Sequence, residues 1–113
     1  MNETMRENQD SLKRYAELEY RIRELHLIRE RVTDETSKAA CDRRIQFLQR
    51  EQNYILDRIE EVEGRMLQLI LTMRYCAGSS WKEIHSDLCS IFGYFTERTL
   101  YRLHRKALLA IHF

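Results

Sequence analysis

Proline is absent from the chain, and glycine occurs only at Gly64, Gly78 and Gly93. With so few residues that break helices, nothing interrupts helical stretches except at those three points. No apolar run approaches the roughly 20 residues needed to span a bilayer, so no membrane segment is expected. The first ten residues, MNETMRENQD, contain no apolar core of the kind a secretory signal requires. Cys41, Cys76 and Cys89 are an odd number and lack close spacing, so no disulfide framework is expected. They read as reduced thiols, and the expected location is cytoplasmic. CxxC-type zinc spacing, glycine-rich phosphate loops and nucleophile elbows are missing as well. The expectation is therefore a protein that is not an enzyme and holds no cofactor and no metal.

What is present is charge and periodicity. One third of the 113 residues are charged, yet the net charge is only +1. The balance is uneven along the chain. Residues 1–63 hold twelve Lys and Arg against fifteen Asp and Glu, a net of −3. Residues 64–113 hold seven basic residues against three acidic, a net of +4. An acidic half joined to a basic half suggests that only the second meets a polyanion.

Residues 1–63 read as a helical hairpin. Tyr15, Leu18, Ile22, Leu25, Ile28 and Val32 follow steps of three and four, which mark one helix face. The pattern stops at TDETS (33–37), where Thr36 or Ser37 is the expected N-cap of the next helix. A second series runs Cys41, Ile45, Leu48, Gln52, Ile55, Ile59, Val62, Met66, Leu69 and Met73. Its alternating steps of four and three form a heptad seam. A short linker between two such helices favours an antiparallel pair. Its remaining apolar edge is expected to pack on the C-terminal part or on a second copy, as a homo-oligomer. Gln52 is polar on this seam: buried, it would fix register at some cost in stability, but the favoured reading places it near the edge, in reach of water. Gly64 marks either a kink or the junction with the next module.

Residues 64–113 read as three helices with a turn. Arg65 to Ala77 is apolar with helical spacing and stops at Gly78. Ser80 and Glu83 match a capping box that starts a helix at Trp81. Trp81, Ile84, Leu88, Ile91 and Phe92 would form its buried face. Gly93 ends that helix, and Thr96 caps the last one. There Leu100, Leu103, Ala107, Leu108 and Ile111 make the inner stripe. Trp81 and Tyr75 are expected as core anchors rather than stacking platforms. His85 and Cys89, four apart, could share a metal only if Cys76 and His104 converged on them, and the expectation is that they do not.

Two helices joined by a glycine-containing turn, after a supporting helix, describe a helix-turn-helix. In that motif the second helix enters the major groove and its N-terminal residues meet base edges. The recognition helix would span about 97–110. Glu97, Arg98 and Arg102 are the base-reading candidates, because Arg can pair bidentately with guanine and Glu can accept from cytosine N4. Thr96, Tyr101, Arg105 and Lys106 are the DNA-backbone candidates.

The stretch RMLQLILTMRYCAGSSWKEI, followed by TERTLYRLHRKALLAI, resembles region four of bacterial sigma factors. The matching positions are Met73, Arg74, Tyr75, Gly78, Trp81, Glu83 and Ile84. They continue with Thr96, Arg98, Thr99, Tyr101, Arg102, His104, Ala107 and Leu108. The arrangement also resembles short phage and prophage transcriptional activators of the RinA/ArpU type. The resemblance covers about residues 62–111 in detail and the hairpin only in architecture. It implies an all-α, sequence-specific binder of double-stranded DNA that regulates transcription as an activator of phage or prophage late genes, with RNA polymerase as a further partner by analogy. Two alternatives stand beside it: a DNA-recognition subunit like a phage small terminase, and a module that docks on RNA polymerase without touching DNA. The chain departs from the pattern at His85, where the family has a small residue. It also departs at DLCSIFGYFT, which is some four residues longer. One extra helical turn before Gly93 is expected, with a consequence for the pitch of the recognition helix.

Overall fold

The computed structural model describes all residues, 1–113. The fold is all-α. The helices are α1 (Glu3–Arg31), α2 (Glu35–Glu60), α3 (Arg65–Leu71), α4 (Trp81–Phe92) and α5 (Glu97–Ala110). Helix α3 widens at its end into a π-helical turn, Thr72–Cys76. No helix is long and apolar enough to cross a membrane.

Helices α1 and α2 pack along each other, and α1 starts earlier than its clearest periodicity indicated. Asn2 caps it by accepting from the Met5 amide at 2.8 Å, and Met5 and Leu12 join its buried stripe. Ile28, expected on that stripe, is exposed. No residue between Ile22 and Cys41 is buried, so the hairpin tip reaches past the body. The cap of α2 is Asp34, not Thr36 or Ser37: its carboxylate accepts from the Ser37 amide at 2.9 Å. That bond holds the Asp34 pKa below its usual value. A full negative charge at a helix N-terminus is favoured over a hydroxyl by the helix dipole.

The α2 seam is buried from Cys41 through Ile59, Gln52 included. Gln52 is 6% exposed, against the expectation of an edge position. Its amide donates to the Glu19 carboxylate at 2.8 Å and, at 3.5 Å, to the Tyr15 carbonyl. A buried amide needs such partners, and both lie on α1. The pairing ties the register of α2 to α1.

The seam does not continue as one helix. α2 ends at Glu60, and Gly64 takes φ 110 and ψ 115, a conformation that side chains strain to adopt. Gln68 staples the corner by donating to the carbonyls of Val62 (2.8 Å) and Glu60 (3.0 Å). The corner re-aims the following residues. Leu67, Ile70 and Leu71 become the buried positions, while Met66, Leu69 and Met73 are only half-buried.

Two cores result. The larger joins Met5, Leu12, Leu18 and Ile22 of α1 to Ile45, Leu48, Ile55 and Ile59 of α2. It extends through Leu67, Leu71 and Tyr75 to Ala107, Leu108 and Ile111. The hairpin thus packs on the C-terminal helices. The smaller core is Ile70, Ile84, Leu88 and Leu100, ringed by Met66, Leu69, Met73, Trp81, Phe95 and Leu103. Each fully buried Leu or Ile contributes roughly 1.5–3 kcal/mol of transfer free energy.

Candidate nucleic-acid interface

Helix α5 begins at a cap. The Thr96 hydroxyl oxygen accepts from the Thr99 amide at 3.2 Å, and its hydrogen goes to the Thr99 hydroxyl at 3.1 Å. The amides of Glu97 and Arg98, at the helix start, have no intrahelical acceptor. At the other end, the Asn8 side chain of α1 donates to the carbonyls of Leu108 (2.8 Å) and Ile111 (3.0 Å). Both ends of α5 are therefore held by side chains.

The inner face of α5 bridges the two cores. Leu100 enters the smaller, and Ala107, Leu108 and Ile111 enter the larger. Leu103 is half-buried between them. His104 is the residue that the sequence reading missed. It lies one turn from both Leu100 and Leu108, so the same periodicity that marked those leucines places it inside. It is 7% exposed.

His104 is satisfied by a relay. Gln9 of α1 donates to the Tyr75 hydroxyl oxygen at 2.9 Å, and that hydroxyl lies 2.7 Å from His104 Nε2. The Gln9 amide nitrogen can only donate. Tyr75 therefore accepts from it and gives its own hydrogen to Nε2, which accepts as neutral imidazole. Burial, followed by the charges of Arg74 and Arg105, pushes the His104 pKa down to about 4. Burial likewise raises the Tyr75 phenol above its usual value. Tyr75 is buried, as expected of a core anchor. Trp81 is half-buried. Its ring meets His104 and Tyr101 edge-on, with centroids at 4.6 and 5.5 Å, and the Arg74 guanidinium sits over it at 4.7 Å. Arg74 also donates to the Ser79 carbonyl at 3.2 Å, closing the loop before α4. In that loop Gly78 takes φ 71, and the capping box of Ser80 and Glu83 is formed.

The outer face of α5 carries Glu97, Arg98, Tyr101, Arg102, Arg105 and Lys106, all exposed, and Thr96 before it is exposed too. At 3.6 residues per turn these positions cover one continuous half of the helix. None of its basic side chains forms an ion pair. All six ion pairs in the molecule join residues between Arg14 and Glu61. Lys106 differs from the rest of the face. With Glu61 and Glu63 it lines an opening of about 510 Å³ at the end of α2.

Helix α4 runs to Phe92, so the segment before the turn at Gly93 is helical. Its inward face is Ile84 and Leu88. Ile91 and Phe92, expected inside, are 62% and 43% exposed. Helix α4 overshoots the small core, and after Gly93 it is Phe95 that returns to pack there. His85 Nε2 sits 2.6 Å from the Phe95 carbonyl and 3.5 Å from Cys89 Sγ, so this histidine ties α4 to the turn. No three of the His, Cys, Asp and Glu side chains gather as a group that could hold a metal. The cysteines are free thiols, and burial raises the Cys76 thiol to about 11.

No protein-family model matches the chain, and no curated protein or solved structure matches it.

Proposed function

We propose that α4, the turn at Gly93–Phe95 and α5 act as a helix-turn-helix that binds double-stranded DNA in a sequence-specific way. The protein would then serve as a transcriptional regulator of the phage activator type. The observation that carries this reading is the unpaired basic face of α5, held rigidly from behind. Carboxylates at neighbouring turns would stabilise a helix face that carries arginines. Here Arg98, Arg102 and Arg105 have no such partners, although carboxylates are plentiful elsewhere in the chain.

In this reading Arg98, Arg102 and Glu97, nearest the capped N-terminus, read base edges. Tyr101, Arg105, Thr96 and the free amides at the helix start hold phosphates. Lys106, at the far end of the face, joins the phosphate contacts. The resemblance in residues 62–111 to sigma-factor region four supports the regulatory role, and the hairpin would serve as a surface for self-association or for polymerase.

Selection of bound sequences from random duplex DNA tests the reading. An enriched site is expected. Arg98→Ala or Arg102→Ala should relax preference at particular base pairs, at about 1–3 kcal/mol each. Arg105→Ala should weaken all sequences alike and reduce the salt slope by about 1. Equal affinity for selected and random duplexes would remove sequence specificity. Capture of RNA polymerase by a chain that shows no gel shift would replace this reading with polymerase docking. The spacing of half-sites in the enriched sequences would report the oligomer geometry.

A further inference from the structure

We infer that the aromatic groove formed by α1, α2 and Phe113 is a docking site for an acidic peptide segment carrying an aromatic or branched apolar anchor. Phe47 and Tyr54 are two turns apart on the outer face of α2, and both are about half exposed. Phe113 comes in beside Tyr54, with ring centroids at 6.3 Å and planes tilted by 50°. Together they border a groove of about 430 Å³, walled by Arg14, Arg50 and Glu51. Exposed apolar surface that is contiguous and rimmed by charge marks interaction sites, and aromatic residues with arginine are enriched in them.

The charges select the occupant. The Arg44 guanidinium lies over Phe47 at 5.1 Å, and that of Arg58 lies over Tyr54 at 5.4 Å. The wall's one acidic side chain, Glu51, is taken by Arg14 at 3.4 Å. Arg44 and Arg50 form no ion pair and leave the rim positive. The half of the chain around it is net negative, so this positive patch is local. An apolar floor beneath unpaired guanidiniums complements a partner with a buried apolar side chain between carboxylates. Stacked nucleobases fit less well. The two adjacent rings, Tyr54 and Phe113, are tilted by 50° and are not parallel platforms.

The inference is independent of the DNA reading, because no groove residue lies on the exposed face of α5. It is tested by display selection of short random peptides on the immobilised full chain, in parallel with Phe47→Ala and Arg50→Glu variants. Both substitutions are at exposed positions, and each variant should keep the helical spectrum and melting point of the parent. The enriched peptides should be acidic with an aromatic or leucine anchor. Their affinity should fall about tenfold or more in each variant, as for a central anchor and its charge partner. No enrichment, enrichment of basic peptides, or binding that survives both variants overturns the proposal. A thymidine oligonucleotide that binds the parent and is lost in both variants overturns it in favour of single-stranded nucleic acid. A concentration-dependent dimer abolished by Phe47→Ala overturns it in favour of a second copy of this chain.

Discussion

Of the twelve basic residues of 1–63, five (Arg14, Arg23, Arg29, Lys38 and Arg58) meet a carboxylate, whereas none of the seven of 64–113 does. The inner faces differ in the same direction. The hairpin buries one polar seam residue, Gln52, between helices that pack along their length. The C-terminal helices are shorter and rely on specific polar ties: Asn8 to the end of α5, Gln9 through Tyr75 to His104, and Arg74 to the loop before α4. Long helices can hold themselves by a repeated apolar seam. Short ones need their ends and corners satisfied individually, because a larger share of their backbone groups is terminal.

Both regions share the larger core, and its disruption should have the largest effect. Leu108→Ala should cost about 2–5 kcal/mol, because Leu108 is wholly buried at the meeting of α5 with the hairpin. Trp81, the single tryptophan, reports the C-terminal helices by fluorescence, while far-UV circular dichroism is dominated by the hairpin. Coincident unfolding curves would mean one cooperative unit. Curves that separate in the parent protein would mean that the two regions are only loosely coupled.

Acid should act on the C-terminal region through His104. Its pKa falls from 6.5 to about 4 on folding, so below 6.5 the unfolded chain takes up the proton more readily. Stability is therefore undiminished above about pH 6.5 and is lost as pH falls towards 4. The loss reaches about 3 kcal/mol from this group. Denaturant titrations across that window check it, with His104→Gln as the control that should flatten this component.

Gly64→Ala sharpens the comparison at the corner between the regions. In an uninterrupted helix the change would stabilise by about 1 kcal/mol. At φ 110 it should instead destabilise by roughly 1–3 kcal/mol. A rise in the melting point would mean that α2 runs on into α3. The smallest effect is expected where charges are paired in water. Asp42→Ala removes the half-exposed partner of Arg29 and should change stability by about 0.5 kcal/mol or less. A loss of several kcal/mol there would mean that this pair is a structural tie between α1 and α2 rather than a solvated surface contact.

Much of this was legible along the chain. The all-α class, the α2 seam from Cys41 to Ile59, the Ser80–Glu83 box, and the caps at Thr96 and Gly93 all rest on interactions within a few residues. The positions on the exposed face of α5 followed from periodicity alone. The misses share a different cause. Gln52 and His104 are polar, and a rule that polar groups face water cannot know that Glu19 or Tyr75 waits across the interface. Ile91 and Phe92 follow the apolar spacing of α4, but the small core ends before it reaches them. The heptad count through Met66, Leu69 and Met73 stayed in step across Gly64 while the backbone did not.

Local sequence alone determined where helices start and stop and which side of each is apolar, because caps, glycines and i, i+3, i+4 spacing act within one or two turns. The segregation of charge between the two halves was likewise written in composition. Only the tertiary structure decided which apolar residues are covered, which buried polar groups find partners, and which arginines remain unpaired. Those outcomes depend on groups far apart in the chain, such as Asn8 with Leu108 or Gln9 with Tyr75, meeting within hydrogen-bonding distance.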